Sequence, residues 1–153
     1  NDVKAREEMS IAALEAGIAF NNSSVTIIHG MSRPIGALFH VPHGISNAML
    51  IGEALGFALS GAYERFGALG RAIGAASEND IDEVAAKAYL KRLVELTKEL
   101  EIPTLEGYGI DRARFFEVID KMSEDAMASG SPQNTLREVT KNDVAKIYKK
   151  LWA

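Results

Sequence analysis

His29, His40 and His43 are the only histidines in this 153-residue chain, and all three fall between residues 29 and 44. Neutral imidazole offers a lone pair to a metal ion near neutral pH, so histidines grouped in this way are candidate ligands. The segment reads His-Gly-Met-Ser-Arg-Pro-Ile-Gly-Ala-Leu-Phe-His-Val-Pro-His-Gly. His29 falls in an apolar stretch with Ile27, Ile28 and Met31, where an unpartnered imidazole would be costly to bury. His43 lies between Pro42 and Gly44, in what reads as a tight turn with Val41 forced extended by the proline. A helix facing a fixed turn would bring the two rings together. Taken singly, a histidine is more often a satisfied core residue or a surface one. Two ligands also fall short of the three or more that a catalytic metal takes from its protein. His40 as a third would have to converge across Pro42, which is the weaker reading. No Asp or Glu stands four residues from any of the three.

Other chemistries find little support. The absence of cysteine excludes disulfides, thiolate zinc sites, iron–sulfur clusters and a cysteine nucleophile, and suits a reducing cytoplasm. A net charge of −4 argues against a polyanion-binding face, so no nucleic-acid partner is expected. No apolar run has the length of a membrane span, because Glu53, Glu64 and Arg65 interrupt the richest stretch. No serine sits in a Gly-x-Ser-x-Gly elbow. The glycines between Gly67 and Gly74 have no strand before them, so close helix packing explains them better than a phosphate loop. The chain opens at Asn1 with no methionine and no signal peptide, and reads as cut from something longer.

The elements that must position the histidines are helical throughout. Residues 2–21 carry Val3, Met9, Ala12, Ala13, Ala16 and Phe20 as a one-sided apolar stripe, capped by Asp2. Residues 24–31 are short enough to pass for a strand but are read as helix, interrupted by Ser32-Arg33-Pro34. A central buried helix is expected from Ile45 to Leu59 and a shorter one from Tyr63 to Ala76. Ile81 to Glu101 reads as amphipathic, with Val84, Ala88, Leu93, Leu96 and Leu100 inward. Asp111 caps a helix to about Ser129, and Thr140 with Asp143 forms a capping box for the last. With 47% hydrophobic residues there is enough for one core. The expected fold is a single all-α, bundle-like domain over residues 1–153.

Several segments together resemble the iron-containing (group III) alcohol dehydrogenases. They are Ala5-Arg6-Glu7-Glu8-Met9, Ala16-Gly17-Ile18-Ala19-Phe20, His29 through Ala37, Phe39 through Gly44, Asn47-Ala48-Met49-Leu50, and the ending from Gly130-Ser131-Pro132-Gln133-Asn134 to Tyr148. The resemblance spans nearly the whole chain and is most specific around the two outer histidines. It implies the helical C-terminal domain of the dehydroquinate synthase-like fold, without that family's N-terminal dinucleotide-binding domain. It also implies a metal held by an aspartate, a histidine four residues after it, and two further histidines spaced as His29 and His43 are. The first pair would lie upstream of Asn1. Two positions depart from the family pattern: Arg33, where some branches have a histidine near the nicotinamide, and Ile51-Gly52, where Leu-Pro is common.

What the resemblance implies for function is alcohol–aldehyde interconversion with NAD(P), Fe²⁺ (or Zn²⁺) acting as a Lewis acid on the alcohol oxygen. His29 and His43 are the implied metal ligands, and Arg33 and His40 the implied pocket lining. The partner is a small alcohol or aldehyde, and a homo-oligomer is compatible with the sequence. The fragment alone is expected to be inactive. The alternatives are a metal-free helical packing or assembly module, and a relative of the glycerol dehydrogenase or maleylacetate reductase type.

Overall fold

A computed structural model describes residues 2–152. Seven α-helices follow one another: α1 (Val3–Ser23), α2 (Ile27–Phe39), α3 (His43–Ala58), α4 (Tyr63–Ala72), α5 (Asp82–Glu99), α6 (Arg112–Ala128) and α7 (Lys141–Lys150). Short 3₁₀ turns occupy Leu59–Gly61 and Pro132–Asn134, and no strand occurs among the described residues. The fold is all-α, as expected. Among the described residues no single helix is long and apolar enough to cross a membrane.

Helix boundaries follow from local chemistry where a side chain can take up the free backbone N–H groups. Asp2 accepts from the Ala5 N–H at 3.0 Å and Asp111 from the Arg114 N–H at 2.8 Å. At α7, Thr140 and Asp143 form the reciprocal capping box. The core lies between α2, α6 and α7, with Leu50 and Ala54 of α3 joining it. Ile27, Met31 and Ile35, four residues apart, form one fully buried stripe of α2. Opposite it stand Phe115, Ile119, Met122 and Ala126 of α6 and Val144, Ile147 and Tyr148 of α7. Phe115 stacks on Phe39 and meets Tyr148 edge-on.

The glycines of α4 act as the sequence suggests. A Cβ on Gly70 would strike the Ala85 carbonyl oxygen of α5, so the two backbones meet where only glycine fits. That contact also sets the rotation of α5. Its buried residues are Ala85 and Ala86, whereas Val84, Leu96 and Leu100 of the expected inward stripe are exposed. The closest approach selects small side chains, while the half-buried Leu90 and Val94 face Gly56 and Gly52 of α3.

Three other expectations are corrected. Pro34 does not interrupt α2, which runs through it to Phe39. A proline inside a helix costs about 3 kcal/mol, and here the ring is itself buried beside the Ile27–Met31–Ile35 stripe, whose packing outweighs that cost. His43 lies not in a turn but at the first position of α3, with Pro42 (φ −55°) as its N-cap. Helix α1 has no buried residue at all. At 100° per residue its apolar side chains are also not one-sided, since Met9 and Phe20 project opposite Ile11, Leu14 and Ile18.

Candidate metal centre

Helix α2 carries His29, and its start is held by the loop before α7. The Ile27 N–H donates to Thr135 Oγ1 at 3.2 Å. Asn134 Nδ2 donates to the Val25 carbonyl at 3.0 Å and to Ser24 Oγ at 3.2 Å. Beside His29, a Cβ on Gly30 would lie 2.8 Å from Pro132 Cδ, so glycine lets α2 settle against the 3₁₀ turn. At Ser24 the backbone takes φ 66°, and the chain turns by 108° between α1 and α2. Asn134 restrains this uncommon conformation. The turn brings Phe20 and Asn21 of α1 to the cavity that contains His29.

His43 arrives from the other side. Helix α2 ends with His40 in the left-handed conformation (φ 56°), its N–H donating to the Gly36 carbonyl at 3.0 Å. Val41 is buried, Pro42 follows, and His43 starts α3. The ring centroids of His29 and His43 are 5.2 Å apart with planes tilted by 55°. Metal–imidazole bonds of about 2.0–2.1 Å and near-tetrahedral angles put the centroids of two imidazoles on one ion roughly 5 Å apart. The pair therefore fits the spacing of two ligands to one ion.

Both rings and Arg33 line one cavity of about 550 Å³, with Phe20, Asn21, Ser24 and Val25. His40 does not share it. It lines a separate cavity of about 290 Å³ with Phe39, Tyr108, Asp111 and Arg114, because the left-handed cap turns residue 40 away from the His29 side. Burial lowers the pKa of His29 below its ordinary 6.5, and the charges of His43 and Arg33 push the same way. That favours the neutral imidazole, the form that ligates. Among the described residues no group of three His, Cys, Asp or Glu could hold an ion.

Two residues of the site escaped the sequence reading. Ser32 Oγ lies 3.2 Å from His43 Nδ1, and Asn47 Nδ2 lies 3.2 Å from His43 Nε2. Asn47 follows His43 by four residues, on the same helix face. A search for neutral partners at that spacing, and not only for carboxylates, would have found it.

Against known proteins, residues 1–152 match the Fe-containing alcohol dehydrogenase family, C-terminal. The NADPH-dependent butanol dehydrogenase of Clostridium saccharobutylicum is 32% identical over 148 residues, covering 96% of this chain and 38% of that protein. Among solved structures, a 1,3-propanediol oxidoreductase superposes with a TM-score of 0.90 at 26% identity, covering 99% of this chain and 39% of the other. An alcohol dehydrogenase from Oenococcus oeni gives 0.88 at 30% identity, covering 97% and 38%. The chain thus spans less than two fifths of the length of these relatives. On the match over residues 1–152, it belongs to the Fe-containing alcohol dehydrogenase family and corresponds to that family's C-terminal, helical region.

Proposed function

We propose that this chain is the helical metal-binding part of an NAD(P)-dependent alcohol dehydrogenase, in which His29 and His43 supply two of the ligands of a catalytic Fe²⁺ or Zn²⁺. The observation that carries this reading is the 5.2 Å separation of the two rings on one cavity. Family membership and the NADPH dependence of the Clostridium relative support the oxidoreductase assignment and the nicotinamide cofactor. The reading carries a cytoplasmic location with it, in keeping with the cysteine-free sequence.

When bound, the ion supplies Lewis-acid polarisation of an alcohol or aldehyde oxygen. The chain's own residues do the positioning. His29 comes from a helix anchored at Thr135 and Pro132, and His43 from the first position of the next helix. Their backbones are thus fixed before an ion arrives. Phe20 and Val25 contribute apolar surface to the cavity. Arg33, exposed on the same cavity, adds a permanent positive charge suited to an oxygen-bearing ligand. The chain spans less than two fifths of the length of its relatives, and in this reading the nicotinamide site belongs to the part outside it.

Calorimetric titration of the chain with Zn²⁺ tests the ligand assignment. One weak site is expected, lost in His29→Ala and in His43→Ala and kept in His40→Ala. Equal loss in His40→Ala would show that the ligands are wrongly assigned.

A further inference from the structure

The network around His43 carries more than a ligand assignment. Ser32 is fully buried, and its Oγ touches two groups: the His29 carbonyl oxygen at 3.2 Å and His43 Nδ1 at 3.2 Å. The carbonyl can only accept, and a hydroxyl proton directed to it satisfies that contact and leaves the Nδ1 contact to be made by a ring proton. Ser32 Oγ is then left as an acceptor, and His43 Nδ1–H donates to it. On the other side of the ring the Asn47 amide presents Nδ2 to Nε2, and in this orientation Nδ2 donates and Nε2 accepts. The two neighbours select the same neutral tautomer, with the proton on Nδ1 and the lone pair on Nε2. Asn47 has a second unusual feature: its Oδ1 is buried and has no hydrogen-bond partner.

We propose that Ser32 and Asn47 are positioning residues that set the tautomer of His43. Ser32 holds the proton on Nδ1, and the Asn47 amide keeps the Nε2 lone pair engaged until an ion takes it. This rests on the reading of His43 as a ligand. The serine binds the ring through a hydroxyl that also bonds the backbone of the other histidine. The orientation of one imidazole is thereby tied to the helix that carries its partner. When an ion enters, Ser32 keeps its bond, whereas Asn47 gives up its own and its amide is free to turn. The orphaned Oδ1 can then find a donor. A ligating histidine whose other nitrogen is hydrogen-bonded has a fixed ring and a more basic donor atom.

The test is the tautomer itself, read by long-range ¹H–¹⁵N NMR of the metal-free chain at about pH 8, where an ordinary imidazole is neutral. The expected His43 pattern is a protonated, pyrrole-type Nδ1 and a bare, pyridine-type Nε2. Ser32→Ala should shift His43 towards the Nε2–H form and weaken Zn²⁺ binding by about tenfold, and Ser32→Thr should restore both. A purely structural role for Ser32 would leave the tautomer unchanged. An Nε2–H tautomer in the unmodified chain overturns the proposal, because Asn47 must then present Oδ1 to the ring and Ser32 must donate to Nδ1. The ligand reading fails separately. If His43 is the Nδ1–H tautomer but Zn²⁺ moves neither histidine resonance, the network stands and the metal assignment falls.

Discussion

The Tyr148 hydroxyl donates to the Met31 carbonyl at 2.7 Å, joining α7 to the helix that carries His29. Tyr148 is 0% exposed, and burial pushes its phenol far above the ordinary value near 10. The folded state keeps this proton at pH values where the unfolded chain loses it. Stability should therefore fall as pH rises through about 10, by up to roughly 1.4 kcal/mol per pH unit from this group. Tyr148→Phe should cost about 0.5–1.5 kcal/mol at neutral pH and flatten the alkaline decline. Urea unfolding at a series of pH values checks both effects.

At the acid end His29 has the opposite sign. Its pKa is lowered by burial first, then by His43 and Arg33. The unfolded chain binds this proton before the folded one does, so the contribution of His29 to stability is present above about pH 6.5 and declines below it. An NMR titration should place the His29 midpoint below the ordinary value. Arg33→Gln should move it only part of the way back, because burial is the larger cause.

Helix α1 should behave as the least protected element. None of its residues is buried, and Met9 and Leu14 are 68% and 65% exposed. A helix of this length without tertiary packing is marginal in water. Amide hydrogen exchange should be fast from Val3 to about Phe20 and slow across the Ile27–Met31–Ile35 stripe of α2. Equal protection in the two helices would mean that α1 is packed in solution.

The helical fold was legible because its signals are local. The Asp2, Asp111 and Thr140 caps and the break after Ser129 each act within a few residues. What could not be read depends on partners distant in sequence. Pro34 looks like a helix breaker until the burial of Met31 and Ile35 against α6 and α7 is known. The facing side of α5 is decided by Gly70 meeting the Ala85 backbone, a contact that an apolar stripe does not encode. At the site, the meeting of His29 and His43 on one cavity was legible from their grouping in the sequence and from the expectation that helix and turn would face one another. Ser32 and Asn47 were not, since a serine and an asparagine declare a role only when the ring between them is placed.

Coordination to a single ion is the central claim, and X-ray absorption fine structure of the Zn²⁺-loaded chain measures it most directly. Two imidazoles per zinc are expected at about 2.0–2.1 Å, with the remaining ligands oxygen atoms of water. His29→Ala or His43→Ala should leave one imidazole, and His40→Ala should leave two. A single imidazole in the unmodified chain, or two that survive the loss of His43, would contradict it.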